Sequence, residues 1–381
     1  MNPIVILGSG LAGYNVAREL RKLDKAVPLA VISADTGNFY SKPMLSSALG
    51  SGKTPQSIAM NTAEQMAGQL NATVRAQTRV TGIDPASHAV RIGDETIQYS
   101  KLVLALGADQ IRLPIGGTAA ERIMTVNDLD DYARFRAALT EKSTVALIGA
   151  GLIGSEFTND LTTGGHKVEV IDIAAHPLSR LLTPEGGAML QKKLAELGVV
   201  WHLGTSTSAV DTDGDKLRVT LANGHSFAAD VVLSAVGLKP RVALAQAAGL
   251  AVNRGITVNR QLETSAPDIY ALGDCAEVAG LILPYVMPIM HSARALAATL
   301  AGKPTTVNYP AMPVLVKTPA CPTIVSPPPA GVDGKWTVTA DADGVKSLFH
   351  DGSGKLMGFA LNGQATAERA ALTQQLPPVL A

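Results

Sequence analysis

The chain has 381 residues, of which 46% are hydrophobic, and its 32 basic and 32 acidic side chains give a formal net charge of zero. This length predicts two or three domains with sizeable cores, and the balanced charge argues against a nucleic-acid-binding protein, which would usually show a basic excess. The two cysteines, Cys275 and Cys321, are far apart and lie in no metal-ligand pattern, so we expect neither a disulfide framework nor a metal site.

The first predicted element is a strand, a glycine turn and a helix in residues 3–23. The segment PIVILGSGLAGYNVARELRKL contains an apolar run, then Gly8, Gly10 and Gly13, and then a helical pattern. In a dinucleotide-binding turn the first glycine permits the tight bend, the second lets the backbone approach a pyrophosphate, and the third lets helix and strand pack closely. The helix N-terminus then attracts the phosphate. A single copy of this pattern also arises in ordinary glycine turns, so that alternative stays open here.

The next strand ends in PLAVISAD, at the place where a ribose-binding acid usually stands, about 20 residues beyond the glycines. Ser33 occupies that position, and Ala34 and Asp35 follow it. We therefore expect the ribose contact to come from Asp35 or from the backbone near Ser33 and Ala34.

A second copy of the same pattern occurs in TVALIGAGLIGSEFTNDL, with Gly149, Gly151 and Gly154. Two complete copies in the same order argue against chance, so the chain is predicted to bind two dinucleotides. Asp172 ends the strand that follows, HKVEVIDIA. Its carboxylate suits the free 2′-hydroxyl of NADH and would repel the 2′-phosphate of NADPH, and the alternative is an aspartate that merely ends a strand.

The remaining elements are predicted from turn and alternation signals. GADQIRLPIGG (107–117), rich in glycine and proline, indicates a crossing between domains. Residues 211–237 alternate in polarity and contain the hairpin signal Asn223-Gly224. The chain from residue 309 begins proline-rich, for which a disordered linker is the alternative. The strand-like PVLVK, and SLFHDGSGKLMGFAL with two strands around a glycine turn, favour a folded β-containing unit.

No segment predicts membrane insertion. The N-terminal apolar run is already the first strand and has no basic stretch before it. The most apolar later run, LILPYVMPIM (281–290), is short and holds two prolines. We therefore expect a cytoplasmic protein without a signal peptide or a transmembrane helix.

Four motifs in this order resemble the FAD-dependent pyridine nucleotide oxidoreductases that have two dinucleotide-binding folds. They are the two glycine turns, LVLALGA (102–108) and TSAPDIYALGDCAEV (264–278). Within that family the chain is more similar to the rubredoxin reductases, through FYSKPMLS (39–46), NRGITVNRQLETS (253–265), LPYVMPIM (283–290) and PVLVKTPACP (313–322).

The resemblance implies an α/β fold with two Rossmann-like dinucleotide-binding domains, one for FAD and one for NADH, and a small α+β C-terminal domain. FAD and NADH are therefore the expected cofactors. The implied boundaries are 1–110 and 241–308 for a discontinuous FAD-binding domain, 111–240 for the NADH-binding domain and 309–381 for the C-terminal domain.

Three charged residues are candidates for a role in hydride transfer. This reaction needs few side chains, because the flavin itself accepts the electrons. Related disulfide reductases carry reactive cysteines where this chain has Lys42, and the resemblance implies that this lysine lies beside the flavin and pairs with Glu156. It also implies that Lys317 lies near the polar edge of the ring. The alternatives are that Glu156 only complements the N-terminal dipole of its helix and that Lys317 is a solvated strand residue.

The glycine turns and the resemblance together predict the residues that line the cofactor sites. By the resemblance, Val80 contacts the adenine through its backbone, Asp274 contacts the ribityl chain, and Tyr285 and Val286 lie near the flavin. The predicted cofactor-binding residues are Gly8, Ser9, Gly10, Leu11, Ala12, Gly13, Ser33, Ala34, Asp35, Lys42, Pro43, Val80, Ala105, Gly107, Gly149, Gly151, Leu152, Ile153, Gly154, Glu156, Asp172, Gly237, Gly273, Asp274, Tyr285, Val286 and Lys317.

The resemblance implies an NADH:rubredoxin reductase, in which a hydride passes from NADH to FAD and single electrons pass to the iron of rubredoxin. Reduced rubredoxin would supply a hydroxylase, for example one acting on alkanes, or an oxygen-reducing chain. Rubredoxins are small and acidic, so transient docking near the flavin on a locally basic surface is expected. One alternative is reduction of a [2Fe–2S] ferredoxin, although ferredoxin reductases usually carry an aromatic residue near the position of Lys317. The other is an NADH-responsive flavoprotein that acts by association.

Overall fold

The computed structural model of the chain describes residues 1–381, and its helices and strands follow in four stretches. The first stretch contains β1 (Ile4–Leu7), α1 (Leu11–Leu23), β2 (Leu29–Ile32), α2 (Pro55–Ile58), α3 (Ala63–Leu70), β3 (Thr73–Arg75), β4 (Gly82–Asp84), β5 (Ala89–Ile92), β6 (Glu95–Gln98), β7 (Lys101–Leu104) and β8 (Ala108–Gln110). The second contains α4 (Leu129–Ala138), β9 (Thr144–Ile148), α5 (Leu152–Thr163), β10 (Lys167–Asp172), α6 (Pro184–Ala195), β11 (Val200–Leu203), β12 (Thr207–Asp213), β13 (Lys216–Leu221), β14 (Ser226–Ala229), β15 (Val231–Ser234) and β16 (Leu238–Pro240). The third contains α7 (Ala243–Ala247), β17 (Ile256–Val258), β18 (Ile269–Ala271), β19 (Ala276–Val278) and α8 (Val286–Leu300). The fourth contains β20 (Val314–Val316), β21 (Thr323–Ser326), β22 (Gly334–Ala340), β23 (Gly344–Asp351), β24 (Leu356–Gly363) and α9 (Arg369–Thr373).

Four short 3₁₀ helices complete the secondary structure. They span Lys42–Ser46, Ala120–Arg122, Gly273–Cys275 and Gln364–Glu368. None of the helices combines the length and the hydropathy that a membrane crossing requires.

The first unit is built on five parallel strands in the order β18-β7-β1-β2-β3. β1 lies at the centre and pairs with β2 and β7, and β18 joins the sheet from a later part of the chain. The residues of β1 and β2, IVIL and LAVI, are all buried, as expected for parallel strands that are covered on both faces. The glycine turn after β1 therefore opens at the middle of the carboxyl edge, where ligands of such sheets bind.

The second unit repeats this plan with four parallel strands in the order β11-β10-β9-β15. The second glycine turn follows β9, which pairs with β10 and β15 at the centre of the sheet. Beside it lies an antiparallel sheet of β12, β13 and β14, in which β13 pairs with β14 around the turn at Asn223-Gly224. The predicted hairpin is therefore confirmed.

The chain leaves the first unit along β8 and returns along β16, and these two strands pair with each other in antiparallel fashion. Leu238 lies opposite Gln110, and Pro240 lies opposite Ala108. The connection between the two units is therefore a hydrogen-bonded two-stranded ribbon. The residue numbers at which the domains divide stay a prediction.

The C-terminal stretch folds into five antiparallel strands in the order β20-β21-β24-β23-β22, followed by α9. β23 and β24 are the two strands predicted around the glycine turn in SLFHDGSGKLMGFAL. The alternative of a disordered linker is thereby excluded. Two parallel α/β units and one α+β unit confirm the predicted fold class.

The largest hydrophobic core, of 43 buried residues, belongs to the first unit. A second core of 24 buried residues joins the second unit to the C-terminal sheet through Val316 and Val325. It also includes Leu45 and Ile58, which lie between β2 and β3 in the first stretch of the chain. Burying a leucine side chain stabilises the fold by about 2 kcal/mol. The burial of Leu45 therefore holds the Lys42–Ser46 helix against the second unit.

Candidate active site

The first glycine turn connects β1 to α1. Gly8 has a φ of +114°, and a Cβ at this position would overlap the carbonyl oxygen of Ala105. A Cβ at Gly13 would overlap the carbonyl oxygen of Gly8. Gly10, in contrast, has open space around its Cβ position and is the N-cap of α1 without a side-chain capping bond. Two glycines therefore close the turn, and the third leaves the helix N-terminus accessible to an anion.

A carboxylate and two hydroxyls follow this turn on the neighbouring strand. Ser9 Oγ lies 2.8 Å from Ser33 Oγ and 2.8 Å from Asp35 Oδ1. Ser33 Oγ and the Gly37 N–H donate to the same Oδ1, at 2.6 and 2.9 Å. None of these bonds uses Asp35 Oδ2, so this second carboxylate oxygen has no partner among them. The contact of Asp35 with a ribose stays a prediction.

The turn before Asp274 packs directly on the start of α1. A Cβ at Gly273 would lie 2.8 Å from Ala12 Cβ, so only glycine allows this approach, and its φ of +77° also favours glycine. Leu11 and Val80 are partly buried and pack against the core of the first unit. The structure therefore brings the turn that carries Asp274 to the start of α1, across more than 260 residues of chain. The contact of Asp274 with the ribityl chain stays a prediction.

The second glycine turn has the same geometry as the first. Gly149 has a φ of +105°, and a Cβ there would lie 2.8 Å from the carbonyl oxygen of Ala235. A Cβ at Gly154 would overlap the carbonyl oxygen of Gly149. Gly151, the N-cap of α5, has open space around its Cβ position. The second turn therefore also presents a free helix N-terminus.

Asp172 lies at the carboxyl end of β10, beside this second turn. Its Oδ2 accepts the Ala150 N–H at 2.6 Å, and its Oδ1 accepts the Ala174 N–H at 2.7 Å. The side chain of the next residue, Ile173, is 78% exposed. Each carboxylate oxygen has a second lone pair, so the bonded Asp172 can still accept ribose hydroxyls. Asp172 is therefore bonded back to the turn, and its contact with the ribose of NADH stays a prediction.

The residues of both turns fit dinucleotides. Each turn offers unpaired backbone N–H groups at a helix N-terminus, which suit a pyrophosphate, and a carboxylate on the next strand, which suits a ribose. Leu152 and Ile153 form the first turn of α5, and Ile153 remains 38% exposed. Gly107 and Gly237 both have positive φ, +71° and +118°, close to the crossing strands β8 and β16. The chain can thus hold FAD at the first turn and NADH at the second.

Lys42 begins the short helix that also contains Pro43. Its Nζ donates to Asn127 Oδ1 at 2.8 Å and lies 3.9 Å from Asp274 Oδ2. Burial lowers the pKa of Lys42, and the charge of Asp274 raises it partway back. The amine is therefore bonded to Asn127 and lies near Asp274, the residue that the resemblance places on the flavin's ribityl chain.

Glu156 is fully buried on α5, and its partner is Lys317 rather than Lys42. Lys317 Nζ forms an ion pair with Glu156 Oε2, and the Lys317 backbone N–H donates to Oε1 at 3.0 Å. Ser46 Oγ donates to Oε2 at 2.6 Å. The predicted pairing of Lys42 with Glu156 was therefore wrong, because Ser46, at the other end of the same short helix, makes that contact.

The start of α8 carries the last two predicted residues, and the two cysteines lie outside the predicted set. Tyr285 is the N-cap of α8, and Val286, its first residue, is 38% exposed. Burial raises the pKa of Cys275 to about 11 and also raises the pKa of Cys321. Both thiols therefore stay protonated at neutral pH and are unsuited to nucleophilic or redox chemistry.

Sequence reasoning missed several polar residues that hold this region together. Besides Glu156, helix α5 buries Asn159 and Asp160. Asn159 Oδ1 accepts the Ala320 N–H at 3.0 Å, and Asp160 Oδ2 accepts the Leu49 N–H at 3.0 Å. Polar residues at helical spacing (i, i+3, i+4) within a buried helix were a signal that could have revealed them. No sequence signal linked Asn127 to Lys42, 85 residues away.

Two family models match the chain. The pyridine nucleotide-disulphide oxidoreductase family matches residues 2–299, and the rubredoxin binding C-terminal domain matches residues 306–376.

Similar proteins extend over the whole length. A rubredoxin-NAD(+) reductase of Alcanivorax borkumensis is 49% identical, with all of both chains covered. A protein of the same name from Acinetobacter baylyi is 48% identical over 100% of this chain and 99% of its own. Among solved structures, the ferredoxin reductase for the CYP199A2 system from Rhodopseudomonas palustris has a TM-score of 0.88 and 28% identity, covering 99% of this chain and 96% of its own.

Proposed function

The chain belongs to the pyridine nucleotide-disulphide oxidoreductase family, and on that premise we propose that it is an FAD-dependent NADH:rubredoxin oxidoreductase. The observation that carries this proposal is the C-terminal domain, which matches the rubredoxin binding domain over residues 306–376. Lys317 of this domain is bonded to Glu156 on the helix that starts at the second dinucleotide turn. This ion pair is therefore one of the contacts between the C-terminal domain and the NADH-binding unit.

In the proposed reaction, the FAD that the first glycine turn would hold would supply the chemistry that accepts a hydride from NADH and passes electrons singly to the iron of rubredoxin. The glycine turns hold the two pyrophosphates, and Asp172 holds the ribose of NADH. Lys42 supplies a fixed positive charge beside Asp274, and Glu156 fixes Lys317. These residues bind and orient the reactants, which is most of what hydride transfer requires of a protein.

Electrons leave this protein without a disulfide relay. Cys275 and Cys321 are both free and buried, and Lys42 occupies the place where related disulfide reductases have cysteines. Rubredoxin must therefore dock close enough to the flavin for direct transfer, in a small and transient interface.

We include the domain boundaries and the location in the same proposal. The pairing of β8 with β16 supports an FAD-binding domain of residues 1–110 and 241–308, an NADH-binding domain of 111–240 and a C-terminal domain of 309–381. Two free thiols and no disulfide suit a reducing compartment, which supports the cytoplasm.

The test of the acceptor is cytochrome c reduction by NADH with rubredoxin or a [2Fe–2S] ferredoxin as the carrier. Rubredoxin is expected to give turnover about tenfold faster or more, and its rate should fall as salt rises, since the Debye length shrinks from about 30 Å at 0.01 M to about 8 Å at 0.15 M. Equal or faster turnover with ferredoxin would favour a ferredoxin reductase. Negligible turnover with both carriers, together with an oligomer whose size changes with NADH, would favour a protein that acts by association.

The coenzyme preference is expected to reverse in the double variant Asp172→Ala, Ile173→Arg. The change removes the carboxylate that repels a 2′-phosphate and places a cation on the exposed neighbour. We expect kcat/KM for NADPH relative to NADH to rise about 100-fold, which corresponds to about 2.7 kcal/mol. The control is Asp35→Ala at the first turn, which should weaken FAD binding and leave the coenzyme ratio unchanged. An unaltered ratio in the double variant would refute the role of Asp172.

A further inference from the structure

Lys42 is fixed by a residue that lies outside both dinucleotide turns. Its Nζ is 2.8 Å from Asn127 Oδ1, whereas its nearest carboxylate oxygen, on Asp274, is 3.9 Å away. Only the Asn127 contact has the length of a hydrogen bond. The position of the ammonium along its flexible side chain therefore depends on the carboxamide of Asn127.

The carboxamide can take only one orientation. Asn127 Nδ2 donates to the carbonyl oxygen of Ala108 at 2.9 Å. In the flipped orientation the amide oxygen would face this carbonyl, and it has no hydrogen to donate. The Asn127 backbone N–H donates to Asp131 Oδ2 at 3.0 Å, which anchors the residue at the start of α4. The amide oxygen is therefore held toward Lys42 before the lysine binds it.

Asn127 also connects Lys42 to the ribbon that joins the two units. Ala108 is the first residue of β8, which pairs with β16. A second amide, Gln110 on the same strand, donates to the Val126 carbonyl oxygen at 2.7 Å. The segment before α4 thus has two amide bonds to β8, and only the Asn127 amide contacts Lys42.

We propose that Asn127 is the positioning residue of Lys42. Its bond to β8 fixes the ammonium relative to the ribbon between the FAD-binding and NADH-binding units. This inference rests on the proposed function, because it assigns Asn127 a part in the reduction of FAD by NADH. It adds a residue from the second unit to the FAD side of the site.

The first test follows the amine itself in the FAD-loaded protein. Reductive methylation of Lys42 is measured by mass spectrometry from about pH 7 to about pH 11, so that its pKa and its limiting reactivity are obtained separately. Asn127→Leu should raise the limiting reactivity about tenfold, because the side chain is released. Asn127→Asp keeps an acceptor for Lys42 but loses the donor to Ala108, and it should leave the amine protected.

Gln110→Leu is the matched control, since it removes the other amide bond to β8 without touching Lys42. It should leave the labelling of Lys42 unchanged. If Asn127→Asp exposes Lys42 as much as Asn127→Leu does, or if Gln110→Leu exposes it equally, Asn127 has only a structural role and the proposal is overturned. Asn127→Ala replaces Asn127→Leu if the leucine variant does not fold.

The second test is stopped-flow reduction by NADH. Asn127→Leu should lower the rate constant for FAD reduction about tenfold, with unchanged FAD content and unchanged half-saturating NADH, and Asn127→Asp should recover most of it. In a Lys42→Met background Asn127→Leu should cause no further loss, because both changes act through one amine. An additive loss would overturn the proposal. If Lys42→Met alone has no effect, the assigned role of Lys42 fails, whereas the labelling experiment still decides whether Asn127 positions it.

Discussion

Replacing Lys42 by methionine is expected to slow the reduction of bound FAD by NADH about 100-fold, the usual effect of removing one preorganised charge or donor from a reacting centre. Asn127 and Asp274 hold the ammonium in the free protein, so it requires no reorganisation when the hydride arrives. A fixed cation stabilises the charge that the hydride brings to the ring, and it contributes little before transfer. The affinity for FAD should therefore change by about threefold at most.

The measurement is stopped-flow spectroscopy of the FAD-loaded variant over a range of NADH concentrations. Lys53→Met is the matched control, because Lys53 follows the same short helix and its Nζ has only the Met44 sulfur as a polar neighbour, at 4.0 Å. The control should keep the reduction rate of the unaltered protein. A Lys42→Met protein that is reduced as fast as the control would rule out the assigned role.

The pH dependence supplies a further arm of the same experiment. Burial lowers the pKa of Lys42 below that of a free lysine. The positive charge is therefore lost as the pH rises through this lowered pKa, at a lower pH than a free lysine would lose it. The reduction rate should accordingly fall in the alkaline range. Lys42→Arg, whose guanidinium does not titrate there, should lack that alkaline fall.

The parts of the site that could be predicted are those whose determinants are close together in sequence. Each glycine turn, with its strand, helix and acidic residue, lies within about 30 residues, and its backbone geometry follows from the glycines themselves. Asp172 was found this way, and its bonds to Ala150 and Ala174 agree with the expected place beside the turn. The hairpin at Asn223-Gly224 was predictable for the same reason.

The partners of the charged residues could not be predicted, because they depend on how distant segments pack. Lys42 and Ser46 are only four residues apart, but the short helix between them directs the first toward Asp274 and the second toward Glu156. The resemblance predicts that Lys42, Glu156 and Lys317 belong to one site, and the sequence holds no information on which pair is in contact. Leu45 packs in the core of the second unit, and this placement orients the helix.

Glu156→Leu is expected to lower the free energy of unfolding by about 3 kcal/mol. The fully buried carboxylate accepts bonds from Ser46 Oγ, the Lys317 backbone N–H and Lys317 Nζ. Removing one partner of a buried ion pair costs about 3–5 kcal/mol. The lower end applies here because the side chain of Lys317 is 27% exposed and its ammonium can turn toward water.

The measurement is urea unfolding at one fixed concentration of FAD, since bound ligand itself adds to stability. The matched control is Glu368→Leu in the C-terminal domain, where Glu368 and Lys346 form an ion pair of 2.9 Å with side chains 47% and 32% exposed. An exposed lysine–glutamate pair of this kind contributes about 1 kcal/mol or less. A loss of about 1 kcal/mol or less in the free energy of unfolding of Glu156→Leu would show that burial does not strengthen the Glu156–Lys317 ion pair.

The double variant Glu156→Leu, Lys317→Met separates the ion pair from the other bonds to Glu156. Methionine leaves no unpaired cation, so the double variant should lose about 1–2 kcal/mol, well below the sum of the single losses. If the double variant is instead as unstable as that sum, the two charges are not coupled, and the loss comes from the other bonds of Glu156, to Ser46 and to the Lys317 backbone N–H. If the expected coupling is found, the ion pair is one of the contacts that hold the C-terminal domain against α5, beside the Asn159–Ala320 bond and the shared hydrophobic core.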